Sequence, residues 1–146
     1  MSGIMKRFVG LFIALISFLS GVSADTTAVE ATIQQLNATL PVSNQDEYQI
    51  QSVSLTDGSL LIKMELKDVM AQYFGTFKEN AERARNHWLL AIHRVGPVWE
   101  RLLEECADSD IPLTLFVYVA GEGDFTLNFT TADIRKMLDF HHQHFG

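Results

Sequence analysis

Cysteine is nearly absent from this chain: Cys106 is the single example in 146 residues. One thiol cannot close an internal disulfide, so packing must hold the fold without that staple. With Leu102, Leu103 and Ile111 around it, Cys106 reads as a buried, inert thiol on the apolar side of a helix. Basic residues are also scarce, eleven Lys and Arg against eighteen Asp and Glu, for a formal charge of −7. A negative field repels phosphate backbones and anionic lipid surfaces, which argues against a nucleic-acid partner. No apolar run reaches the ~20 residues that a membrane-crossing helix needs. Motifs of known chemistry are missing as well. There is no G-x-S-x-G elbow, and Gly121-Glu122-Gly123 precedes a strand, whereas a phosphate cradle precedes a helix. The carboxylate pairs Glu104-Glu105 and Asp108/Asp110 stand at a helix end and in a loop, where solvation accounts for them. No cofactor is expected, and the chain reads as a non-enzymatic protein.

The first 24 residues carry a clear processing pattern. Lys6 and Arg7 precede an uncharged apolar stretch, residues 8–19, and Val22-Ser23-Ala24 supplies small residues for a signal peptidase. The expectation is cleavage near Ala24, releasing a single exported domain, residues 25–146, into the periplasm or the extracellular space. That domain keeps nine basic and eighteen acidic side chains, a charge of −9. No cysteine lies near the cleavage site to accept a lipid.

Residues 26–40 place Val29, Ile33, Leu36 and Leu40 at helical spacing, with Asp25 or Thr26 as cap and Pro41 as stop. Two alternating segments, residues 48–56 and 59–66, flank Asp57-Gly58, which suits a two-residue type I′ turn. That turn pairs Leu55 with Leu60, Val53 with Ile62 and Gln51 with Met64 on one face. It puts Ser54 with Leu61, Ser52 with Lys63 and Ile50 with Glu65 on the other. From Val69 to Val95, apolar residues recur every three or four positions, predicting a helix of roughly 40 Å, with Gly75 as its weakest point. Gly96-Pro97 ends it and opens a second helix, which buries Trp99, Leu102, Leu103 and Cys106. A second hairpin spans residues 113–130, its register open, with Phe125, Leu127 and Phe129 facing the core. Thr131 caps a last helix whose stripe is Ile134, Leu138, His141 and Phe145.

The predicted fold class is α+β, in the order α-ββ-α-α-ββ-α. It consists of one four-stranded, mainly antiparallel sheet with helices packed mainly on one face. If the opposite face is open, Tyr48, Ile50, Leu61, Phe116 and Tyr118 form an apolar patch there, and such patches mark interaction sites. The functional expectation is therefore macromolecular binding, as an envelope accessory, assembly factor or inhibitor. The partner would be another protein, in the sharper version a basic one, and a homodimer is compatible. An alternative is a small apolar ligand held between the long helix and the sheet, near Phe74, Phe77, Trp88 and Trp99. The metal candidates are His141, His142 and His144, of which His141 and His144 stand one helical turn apart. A metal-dependent enzyme built on them is the third reading. His87 and His93, six positions apart, point in different directions. Asn37-Ala38-Thr39 and Asn128-Phe129-Thr130 match the N-glycosylation pattern.

Overall fold

The computed structural model describes residues 25–44 and 47–145, and the predicted export signal, residues 1–24, lies outside them. Helix α1 (Thr27–Asn37) leads into a short strand β1 (Val42–Asn44), then β2 (Tyr48–Thr56) and β3 (Ser59–Leu66). Three short helices follow: α2 (Asp68–Gln72), α3 (Phe74–Glu79) and α4 (Arg85–His93). After them come α5 (Pro97–Asp108), β4 (Leu113–Val119), β5 (Gly123–Phe129) and α6 (Thr131–Phe145). The strands form one five-stranded sheet in the order β1-β2-β3-β4-β5. Neighbours are antiparallel except β3 and β4, which run parallel, so the sheet is mixed and the fold is α+β. The parallel pairing follows from chain order, because β3 and β4 are joined by the helical crossover α2–α5 and not by a tight turn.

The Asp57-Gly58 turn forms as its chemistry requires. Both residues have positive φ, +53° and +78°, and Leu55–Leu60 and Val53–Ile62 pair on the core face. Ser52 still pairs with Lys63 as predicted, but beyond Ser52 the predicted register fails. A β-bulge between Ile50 and Ser52 sets Ile50 opposite Met64 and Tyr48 opposite Leu66, while Gln49 meets Glu65. One extra residue in one strand reverses the facing of everything beyond it. Tyr48 and Ile50 therefore belong to the core, 4 % and 0 % exposed, and not to the outer patch.

The added strand β1 pairs Val42 with Ile50 at the sheet edge. The second hairpin closes through Ala120, Gly121 and Glu122, with Val119 opposite Gly123 and Gly121 at φ +81°. This three-residue loop needs a left-handed residue, which glycine adopts without a Cβ clash. Phe125, Leu127 and Phe129 face inward as expected.

The predicted long helix is divided at Tyr73 and again across residues 80–84. Tyr73, Asn80 and Ala84 each sit near φ −100° with ψ close to +15°, outside the helical basin. The Asn80 side-chain amide donates to Thr76 O (2.8 Å), a carbonyl that also accepts the Asn80 backbone N–H (3.1 Å), so a polar side chain joins the backbone at the carbonyl where the helix stops. Division lets Phe74, Phe77 and Trp88 converge. Phe74 and Trp88 lie 6.0 and 5.6 Å from the Phe125 ring, and Phe77 meets Trp88 edge-on at 5.6 Å. Arg85 then ties α4 to the far hairpin. It pairs with Asp133 (3.2 Å), donates to the Asn128 carbonyl and stacks 4.6 Å from the Phe129 ring centroid.

Helix α1 packs against α5 and β2, burying Val29, Ile33 and Leu36. Thr32 donates to Glu105 (2.6 Å) and Arg101 to Gln35 (2.6 Å), fixing α1 within the helical layer. One continuous core joins the helices to the inner sheet face. The last helix is capped by Thr130, one position before the expected Thr131. Thr130 Oγ1 accepts from the Asp133 N–H (3.1 Å), and Asp133 Oδ2 accepts from the Thr130 N–H (2.9 Å). This is the reciprocal arrangement of a capping box.

Candidate functional site

Among the described residues, three places bring together side chains with chemical potential. The first is a cleft of about 360 Å³ between α2–α4 and the first hairpin. Its walls are apolar, from Tyr48, Met70, Phe77, Ala84, Trp88 and Ala91, and Glu47, His87 and Arg94 add charge or polarity. Small-molecule sites typically have this size and this mixture. The hairpin supplies its floor because the bulge turns Tyr48 inward, where the phenol donates to the Ala91 carbonyl (3.1 Å). Ala84 and Ala91 leave the space that larger residues would fill. Near Met70, α2 carries Val69 and α3 is preceded by Tyr73, one helical turn away, and these are 60 % and 55 % exposed. Of the four aromatics expected to line a pocket, Phe77 and Trp88 do so. Phe74 and Trp99 are buried in the core and do not line the cleft.

The second place is the outer face of the sheet. Leu61, Phe116 and Tyr118 lie there, all half-buried, while Tyr48 and Ile50 are on the opposite side. Phe116 and Tyr118 are 5.6 Å apart, and Lys63 Nζ stands 6.0 Å from the Phe116 ring centroid. Glu65 and Lys67 form an ion pair (3.4 Å) close by, so the apolar surface is interrupted by charge. Burial and the neighbouring Glu65 carboxylate raise the Tyr118 phenol above its ordinary pKa, opposed by Lys67. The patch is smaller and more polar than the five-residue surface the sequence suggested.

The third place concerns the C-terminal histidines, which diverge. His144 turns back along its helix, its Nδ1 2.9 Å from the Phe140 carbonyl and its ring stacked on Phe140. His141 lies against His93, ring centroids 4.4 Å apart. His142 reaches across to α5, where Glu100, Glu104 and His142 bring one ligand atom each within 4.8 Å of one another. The sequence reading missed Glu100 and Glu104 as partners. Their i, i+4 spacing on a helix was the available signal, since it places two carboxylates on one face.

Cys106 is fully buried, and burial with the nearby Glu105 carboxylate pushes its pKa up to about 12. A thiol so placed is protonated at neutral pH, as the reading of an inert buried cysteine expects.

No protein-family model matches the chain, and no curated protein sequence matches it. The fold is similar to the crystal structure of a protein from Pseudomonas aeruginosa taken to be secreted, with a TM-score of 0.54 and 12 % sequence identity. The likeness covers 75 % of this chain and 92 % of that one. At that identity the likeness establishes the shared fold.

Proposed function

We propose that the protein is exported and acts as a non-enzymatic binding protein, holding a small apolar molecule in the cleft beside Tyr48 and Trp88. The cleft carries this reading: apolar walls on three helices and a hairpin, with Glu47, His87 and Arg94 able to meet a polar end. Export is supported by the order of basic, apolar and small residues ahead of Asp25. No helix among the described residues is long and apolar enough to cross a membrane. The secreted-protein fold neighbour is consistent with the same compartment.

The test is a fluorescence titration of the purified protein with decanol and decanoate, which share an apolar body and differ in charge. Saturable change in Trp88 emission is expected, and Ala84→Phe, which fills the cleft, should weaken it at least tenfold. Absence of saturable binding by either probe, or binding indifferent to Ala84→Phe, overturns the reading. Comparing the two probes reports whether Arg94 or Glu47 dominates the polar end.

A second reading is binding of another protein over the outer sheet face, favoured by the half-buried Phe116–Tyr118 pair, whose rings lie 5.6 Å apart there. The charge of −9 favours a basic partner surface. Replacing both aromatics with Ser should leave the thermal midpoint within a few degrees of the parent. It should also abolish the heteromeric complex, or a homodimer, seen by size-exclusion chromatography of the native envelope fraction. A free monomer in that fraction, or a complex insensitive to the double substitution, removes this second reading.

A further inference from the structure

His93 ends α4 and is 5 % exposed, yet its Nε2 has no hydrogen-bond partner among the described residues. A buried polar atom left without a partner costs free energy and calls for a physical reason. Nε2 points at Glu100 Oε2, 3.7 Å away, which is too long for a hydrogen bond. The same carboxylate oxygen is approached by His142, its Nε2 4.0 Å from Glu100 Oε2 and 3.6 Å from Glu104 Oε2. Glu100, Glu104 and His142 thus bring one ligand atom each within 4.8 Å of one another, and the unpartnered His93 Nε2 adjoins this group through Glu100.

We propose that Glu100, Glu104 and His142 form a binding site for a divalent transition-metal ion, with the neighbouring His93 recruited as the fourth ligand and zinc the best match to the donor set. Zinc binds nitrogen and carboxylate oxygen at about 2.0–2.2 Å, so tetrahedral neighbours stand about 3.3–3.6 Å apart. The His142–Glu104, His93–Glu100 and His142–Glu100 separations of 3.6, 3.7 and 4.0 Å lie within a few tenths of an ångström of that range. Glu100, Glu104 and His142 are within 4.8 Å of one another, and binding requires the His93 ring to turn toward them. Two carboxylates balance the charge of a dication, and two imidazoles select against the oxygen-preferring calcium and magnesium. The i, i+4 carboxylates of α5 give the site a rigid base. His142 comes from an exposed position on the last turns of α6, so an ion would fasten that end to α5. The site is separate from the cleft, and its failure leaves the small-molecule reading untouched.

The experiment is titration of chelator-treated full chain with zinc chloride, and with cobalt chloride as a spectroscopic probe. One ion per chain is expected, with the intense visible absorption of tetrahedral cobalt and a thermal midpoint raised by several degrees at saturating zinc. His142→Ala and Glu104→Gln alter exposed or half-exposed groups and should fold normally, and each should weaken zinc at least tenfold. His93→Gln should do the same if it folds, and the other two variants keep the test decisive if it does not. Magnesium chloride should produce none of these changes. No stoichiometric uptake of zinc or cobalt overturns the proposal. Uptake that survives His142→Ala and Glu104→Gln but is lost in His144→Ala also overturns it, by placing the ion on the terminal histidines alone.

Discussion

Truncating Ile50 tests the β-bulge directly, because the bulge decides which side of the sheet this residue occupies. Ile50 is fully buried on the core face, paired with Val42 on one side and Met64 on the other. Ile50→Ala should cost about 2–5 kcal/mol, the transfer of the lost methyl groups plus the cavity left behind. Leu61 occupies the outer face and is only half-buried, so Leu61→Ala should cost about 1 kcal/mol or less. For a fold of roughly 120 ordered residues, unfolding entropy near 2.1 cal/mol/K per residue converts 3 kcal/mol into a drop of about 12 °C. The Leu61 variant should fall by about 4 °C at most on the same scale. Thermal melts of both variants, followed by far-UV circular dichroism, make the comparison. An unbulged hairpin leaves Leu61 where it is and moves Ile50 onto the same outer face, so Ile50→Ala would then be about as mild as Leu61→Ala. Equal shifts, or a larger one at Leu61, would therefore refute the bulged register and return Ile50 to the outer face.

Two further outcomes follow from other parts of the fold. Cys106, buried with its thiol pushed up to about 12, should resist iodoacetamide at pH 8 in the native protein and label fully in denaturant. Mass spectrometry showing rapid native labelling would mean that α5 does not bury it. Asp133→Ala removes half of the Thr130 capping box and the Arg85 ion pair and should cost about 1 kcal/mol in urea melts. The Asp133 carboxyl is held below its ordinary 3.8, chiefly by the Thr130 backbone N–H, with Arg85 assisting. Because the folded pKa is the lower one, its contribution is fully present above about pH 4 and is lost as pH falls through the folded value. The difference between parent and variant should accordingly shrink in acid, and a difference that grows there would contradict the cap.

Local chemistry made much of this fold legible. The Asp57-Gly58 dipeptide dictates a type I′ turn, and the pairs nearest it, Leu55–Leu60 and Val53–Ile62, follow from turn geometry alone. Gly96-Pro97 marks the start of α5 for the same reason, and the alternation of Phe125, Leu127 and Phe129 identifies the inward face of β5. The bulge at Gln51 has no such signature: Ile50 and Val53 are both apolar, and either facing gives a plausible alternation. Strand β1 is three residues long, too short for a period to register. The helical pattern from Val69 to Val95 is real, but periodicity cannot see that Asn80 will take the Thr76 carbonyl, nor that Phe125 draws Phe74 and Trp88 together. Parallel pairing of β3 with β4 depends on the path of the crossover, which local patterns do not encode. The His–Glu cluster was half visible. His142 stood out in the sequence, whereas its partners come from another helix and become neighbours only through the packing of α5 on α6.

Helix α4 contributes to both the cleft and the cluster, and its geometry says how far the two can be treated apart. His87, Trp88, Ala91 and Arg94 line the cleft at the three- and four-residue steps of one helical face, and Arg94 is the residue that caps the end. At about 100° per residue, His93 lies some 140° from Trp88 and 160° from Ala91, close to the far side. Substitutions on the two faces share no partner, so their effects on stability should add. A zinc-dependent change in decanol binding would then require α4 to move as a body when the ion takes His93, because no side chain belongs to both sites.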